Sequence, residues 1–185
     1  MPFKPPRPDS PQSARLLTLW TLSDRNDNRN LMTALSIRQA TLEDFDFVVS
    51  LIGSDPIADA RQPARPDDQI HQRDAFDAIA RDPNHLLLVA EFEHQRVGSF
   101  QLSFIPGVSR QGAWRGQIES VRIHPDYRNR GLGSAMMTWA VERCRQRGCG
   151  LVQLTSDRQR GSAHRFYERL GFSPTHTGFK LRLSV

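Results

Sequence analysis

Ile118-Glu119-Ser120-Val121-Arg122-Ile123, then His124-Pro125-Asp126-Tyr127, then Arg128-Asn129-Arg130-Gly131-Leu132-Gly133-Ser134: this is the stretch on which the fold turns. Its first part alternates apolar and polar residues, the pattern of a half-buried strand. From Leu132 onward, Ala135, Met136, Trp139, Ala140 and Cys144 recur on one face at helical spacing. Between strand and helix lies a basic turn with two glycines. Glycine lets the backbone come close to a ligand, the first amides of a helix have no partner within it, and the helix dipole favours an anion. Arg128 and Arg130 add positive charge. The turn is therefore expected to hold a phosphorylated ligand.

Two other glycine loops do not fit. A Walker loop ends in Gly-Lys-Ser/Thr, and the lysines here are only Lys4 and Lys180. A dinucleotide fingerprint has a third small residue three places after the second glycine, where this chain has Met136. Arg128-x-x-Gly131-x-Gly133 resembles instead the pyrophosphate loop of the GNAT superfamily, the acyl-coenzyme A-dependent N-acetyltransferases. Two further segments carry the likeness: His124-Pro125-Asp126-Tyr127 before the loop, and Ala163-His164-Arg165-Phe166-Tyr167-Glu168-Arg169-Leu170-Gly171-Phe172 about thirty residues on. The resemblance implies an α/β fold: a mixed, mostly antiparallel central sheet flanked by helices, with the strand–phosphate loop–helix unit at its centre.

Composition bounds the class without adding chemistry. The 185 residues suit one domain. No apolar run approaches the roughly 20 residues of a membrane span, and no signal-peptide pattern opens the chain. Cys144 and Cys149 are too few for a disulfide framework and lack the paired spacing of a zinc site, which favours reduced thiols in a cytoplasm. The net charge of +5 raises the question of nucleic acid. Its arginines are interleaved with Asp and Glu rather than gathered in one block, so an arginine-for-lysine bias is preferred and no nucleic-acid partner is expected.

Residues 1–31 combine five prolines with a polar run from Ser23 to Asn30 and are expected to be a disordered extension; residues 32–185 form the domain. Within it the pattern predicts a strand at Leu35–Arg38 and a helix after the Thr41 cap. A loop from Pro56 to Pro66, a helix from Asp67 to Arg81, and strands at 85–92 and 97–104 follow. The phosphate-turn helix is expected to stop at Gly148. A strand at 151–155, a short helix around 163–170 and a last strand from Gly178 to Leu183 close the sheet.

Acetyl transfer from a thioester to an amine needs a neutral amine, a polarised carbonyl and a protonated leaving thiolate. The resemblance points to Val121, Arg122 and Ile123 for main-chain contacts to the acetyl-pantetheine arm. It points to Arg128, Asn129, Arg130, Gly131, Leu132, Gly133 and Ser134 for the pyrophosphate. On a regular strand Glu119, Val121 and Ile123 share a face, so Glu119 is a candidate base or water-organiser, or else a solvated strand carboxylate. Tyr167 is placed by the resemblance near the coenzyme A sulfur, where a phenol can donate to the departing thiolate. A core aromatic is the other reading. Many family members have an asparagine three residues before the alanine of the late helix; Arg160 stands there, and either reaches a cofactor phosphate or is solvated.

The function expected is acetyl transfer from acetyl-coenzyme A, a cosubstrate, to a primary amine by direct attack in a ternary complex, with no metal. The acceptor is a small-molecule or peptide amine. Asp55, Asp59, Asp67 and Asp68 suit a cationic amine, or simply form a solvated acidic loop. The rival readings are a non-catalytic acyl-coenzyme A-binding regulatory domain and a basic RNA-associated protein. No membrane partner is expected, and a homodimer is compatible with the pattern.

Overall fold

In a computed structural model, the structure describes residues 34–54, 67–181 and 183. The expected 1–31 extension, the boundary at Met32 and the acidic loop with Asp55 and Asp59 lie outside the described residues. Five strands run in spatial order β1-β2-β3-β4-β5: β1 (Leu35–Gln39), β2 (His85–Phe92), β3 (Gln95–Ile105), β4 (Trp114–Ile123) and β5 (Cys149–Leu154). The first four pair antiparallel and β4 pairs parallel with β5. Helices α1 (Phe45–Gly53) and α2 (Asp68–Arg81) lie before β2, α3 (Leu132–Gln146) joins β4 to β5, and α4 (Gly161–Arg169) follows β5. A parallel neighbour needs a crossover, and α3 supplies it.

Each face of the sheet has its own core. On one, Leu88, Phe100, Leu102 and Ile118 pack with Leu132, Met136, Met137 and Ala140 of α3. On the other, Leu87 and Val89 of β2 pack with Phe45 and Val48 of α1 and Phe76 of α2. Period-two alternation along β2 serves both layers, so its middle reads as a continuous apolar run. Cys144 is buried on α3, as the helical spacing indicated. Ile70, on the first turn of α2, is exposed, and the helix packs through Phe76 and Ile79.

A charged cluster pins the start of α1. Asp44 closes a capping box with Thr41, whose backbone N–H donates to Oδ2 at 2.8 Å. Arg38 donates to both Asp44 oxygens, at 2.6 and 2.9 Å, and from Nε to Glu91 at 2.9 Å. The Asp44 side chain is 2 % exposed, and the Arg38 guanidinium holds its carboxyl well below the usual carboxylate range. A depressed folded-state pKa contributes stability that is full above the unfolded value near 4 and lost as pH falls below it. Asp44→Asn should therefore cost about 2–3 kcal/mol near neutral pH, less than for a fully buried pair because Arg38 is partly solvated. Urea titrations at pH 7 and pH 3 check this: the gap between wild type and variant should be wide at the first and only partly narrowed at the second, since the folded-state carboxyl gains its proton at lower pH still.

One expected element does not form. The described residues 178–181 and 183 lie in no strand, and the sheet ends at β5. Alternation at Phe179, Leu181 and Leu183 marks a stripe able to be half-buried. It does not say which surface will bury it, and in the single chain none does.

Candidate active site

The site is built where β4 outruns its neighbour. β4 and β5 pair only from Trp114–Cys149 to Ile118–Leu154, whereas β4 continues to Ile123. From Glu119 onward no strand among the described residues pairs with β4 on that side, because β5 ends at Leu154, leaving a gap beside the end of β4. The Val121 carbonyl there accepts from Arg122 Nη1 at 3.0 Å, and backbone groups along such an edge can pair with an extended ligand.

A bulge at the mouth of this gap corrects the expectation for Glu119. Ser120 has φ of 52°. On β3, Ser99 pairs with Arg122 and Gln101 with Glu119, so β4 spends one more residue than β3 between these pairs. The extra residue rotates the strand by half a pleat. Glu119 thus shares a face with Arg122, Gln101 and Ser99, while Ile123 joins Ile118 on the α3 face. Glu119, Val121 and Ile123 do not share a face. Glu119 is exposed, and Val121, Arg122 and Ile123 are half-buried.

Gly98, which the sequence analysis did not single out, fixes how closely β3 approaches past the bulge. A Cβ at this position would stand 2.7 Å from the Arg122 carbonyl oxygen and 3.1 Å from the Met136 sulfur. Only glycine admits that spacing. A lone Gly inside a strand pattern is the signal that marks it.

Beyond β4, His124 enters a short 3-10 turn, Pro125–Tyr127, that leads into the basic loop. Arg128 donates from Nε to the Ile123 carbonyl at 3.2 Å, tying the loop back to the strand end. The Arg130 guanidinium lies 5.0 Å from the centre of the Tyr127 ring, held by the attraction of cation to π-face. Asn129 and Gly131 both take left-handed conformations, at φ 61° and 78°, and Gly131 caps α3. Arg128, Asn129, Arg130 and Gly131 are exposed, Leu132 is buried beneath them, and Gly133 and Ser134 are half-buried. The turn thus presents α3's N-terminus and two arginines to solvent on a buried leucine anchor. Such an N-terminus suits phosphate.

Across from this turn, α4 brings Phe166 beside Gly133, where a Cβ would meet the ring at 3.5 Å. Tyr167, the next residue, packs between Phe166 and Phe172 with ring centres 5.2 and 6.0 Å away. Burial pushes the Tyr167 phenol above its ordinary value; Arg122 and Arg160 draw it partly back. The phenol is therefore protonated at neutral pH. Electrostatic coupling to Tyr167 places Arg122 on β4 and Arg160 before α4 in one neighbourhood, so the gap, the turn and the tyrosine converge. Tyr167 is thus a packed aromatic whose phenol keeps its proton at neutral pH.

This geometry suits an extended ligand that carries a phosphate or pyrophosphate at the start of α3. No helix among the described residues is long and apolar enough to cross a membrane. The model of the acetyltransferase (GNAT) family matches residues 54–172. An aminoalkylphosphonate N-acetyltransferase of Salmonella typhimurium is 31% identical over 150 residues, 81% of this chain and 92% of that protein. A glucosamine 6-phosphate N-acetyltransferase of Trypanosoma brucei brucei is 38% identical over 87 residues, 47% of this chain and 57% of that one. The crystal structure of a transcriptional regulator from Bacillus halodurans C-125 superposes with a TM-score of 0.75 at 40% identity, covering 80% of this chain and 99% of that one.

Proposed function

Since the chain belongs to the GNAT acetyltransferase family and is an enzyme that moves acetyl from acetyl-coenzyme A to an amine, we propose that its acceptor is a small primary amine bearing a phosphonate or phosphate. The single observation that carries this is the relative that spans most of both chains: it acts on aminoalkylphosphonates. The second relative's acceptor, glucosamine 6-phosphate, pairs an amine with a phosphorus oxyanion again. Positive charge near the chemistry is consistent with it, since Arg122 and Arg160 both act on Tyr167. The reaction is read as cytoplasmic, with no role for nucleic acid or membrane.

In this reading Arg128, Arg130 and the backbone from Asn129 to Ser134 hold the pyrophosphate, and Arg160, which acts on the Tyr167 phenol, assists with a cofactor phosphate. The main chain of Val121, Arg122 and Ile123, freed from β5, pairs with the pantetheine arm and aims an amide at the thioester oxygen. Glu119, on the solvent side of the bulge, takes the amine proton through water. The amine nitrogen then forms a bond to the acetyl carbon in the ternary complex. As the carbon–sulfur bond breaks, Tyr167 gives its proton to the thiolate, and the phenolate regains one through water from the nitrogen that becomes the amide. An interaction made chiefly with the leaving sulfur lowers the barrier without tightening the ground state.

Steady-state kinetics on matched amines tests the acceptor. 2-Aminoethylphosphonate should be favoured over propylamine, and glucosamine 6-phosphate over glucosamine, by roughly 10- to 100-fold in kcat/KM, as charge-assisted hydrogen bonds are worth. Equal kcat/KM for charged and neutral members of both pairs would refute the phosphorus-oxyanion class while leaving acetyl transfer intact. The Bacillus halodurans structure favours a second reading, in which a chain of this fold serves regulation. Acetyl-coenzyme A binding without amine-dependent thiol release is what that reading requires.

A further inference from the structure

Granting the phosphorus-bearing acceptor of the preceding reading, we propose that the Arg122 guanidinium binds the acceptor's oxyanion and sets the preference for such amines. Main chain and side chain of this residue then serve different ligands. Its backbone lies at the end of β4, where the acyl arm pairs; its side chain leaves the strand on the face away from α3. The bulge at Ser120 sends it there. With one extra residue in β4, Arg122 stands opposite Ser99 of β3 and Glu119 opposite Gln101. The neighbouring pair, Gly98 and Ile123, turns to the other face, where a Cβ on Gly98 would meet the Met136 sulfur at 3.1 Å.

Two contacts fix where the guanidinium sits on that face. Its Nη1 donates to the Val121 carbonyl at 3.0 Å, so the head folds back over the strand end, half-buried. It also acts on the Tyr167 phenol, which belongs to the core on the α3 side. Because β5 ends at Leu154, no strand among the described residues stands between the two beside the end of β4. If Tyr167 serves the leaving sulfur from the α3 side, the attacking amine occupies another corner of the tetrahedral intermediate. The face with Glu119 and Arg122 is open to it.

Charge and spacing on that face fit a short zwitterion. Ser99 and Gln101 are two residues apart on β3, about 7 Å. Their partners Arg122 and Glu119 are separated to a similar extent. A carboxylate at one end and a guanidinium at the other match an ammonium and a phosphonate joined by two methylenes. The present hold of Arg122 is on a neutral carbonyl. A phosphorus oxyanion offers the same planar fork two charge-assisted hydrogen bonds, each roughly twice as strong. It therefore draws the head off Val121, and the carbonyl is released to the acyl arm. A neutral alkylamine offers Arg122 nothing comparable.

Steady-state kinetics of Arg122→Gln on 2-aminoethylphosphonate and propylamine tests this. The ratio of the two kcat/KM values, roughly 10 to 100 in the wild type, should fall to within about threefold of unity, mainly through a higher KM for the phosphonate. Losses common to both amines, such as weaker cofactor binding, cancel in that ratio. A ratio kept in Arg122→Gln overturns the proposal. So does a ratio lost in Arg160→Gln alone, which would put the oxyanion on the α4 side. A wild type without any preference overturns the acceptor class itself, and Arg122's role with it, so the two failures are told apart. If Arg122→Gln fails to fold, Arg122→Lys decides, since it keeps the charge and loses the fork. Its ratio should drop about three- to tenfold, and a ratio equal to the wild type's overturns the proposal.

Discussion

Gly133→Asp should abolish coenzyme A binding and leave the domain folded. The position is half-buried on the first turn of α3, and a Cβ there meets only the Phe166 ring at an ordinary 3.5 Å. The new side chain therefore has room at modest packing cost, and the fold should tolerate it. Its charge is another matter. A carboxylate about 5 Å from a diphosphate, at an effective dielectric near 20, costs roughly 3 kcal/mol per unit charge. That corresponds to a loss of affinity of more than about 100-fold, and it also opposes the helix dipole that favours the anion. Calorimetric titration with coenzyme A measures it directly, with thermal unfolding as the control for folding. Affinity within a few-fold of wild type would place the diphosphate elsewhere.

Tyr167→Phe should lower the single-turnover rate by roughly 10²-fold, the lower end of what a positioned proton donor contributes. The ring, and with it the packing against Phe166 and Phe172, is retained, so stability and coenzyme A affinity should hardly move. Burial keeps the phenol protonated. The wild-type rate should therefore show no loss of the donor through neutral and mildly alkaline pH. Its decline belongs above pH 10, where a raised phenol pKa puts it. Glu119→Gln is the contrast: it should slow the loss of the amine proton and lower the rate while leaving the alkaline side of the profile alone. Single-turnover measurement keeps slow product release from hiding either effect. A Tyr167→Phe rate equal to the parent's would reduce the tyrosine to a packing residue and leave water as the donor.

Much of this architecture was legible because periodicity reports burial and burial is shared along whole elements. The strand at 85–92 and the helix of residues 68–81 fall where alternation and helical spacing put them. The turn at Arg128–Gly133 was legible for a different reason, since left-handed backbone and close approach select glycine strongly enough to leave a mark in a single sequence. The bulge at Ser120 left none. Serine carries no preference for φ of 52°, and the added residue is visible only against the register of β3. Parity counting from Glu119 therefore failed one residue later. The last strand failed in the opposite way: Phe179, Leu181 and Leu183 have the right spacing, but a local pattern cannot name the surface that covers it. The acceptor was illegible throughout. Polar residues on loops are chosen for a ligand's shape and charge, and no period records that choice.

In the proposed mechanism the open edge of β4, the basic turn and Tyr167 together transfer acetyl to an amine. Thiol release from acetyl-coenzyme A, followed with and without 2-aminoethylphosphonate and a panel of other primary amines, tests it most directly. The predicted result is release that depends on an amine, saturates with it and yields an equal amount of the N-acetylated product. Tight coenzyme A binding without amine-dependent release for any member of the panel would contradict it.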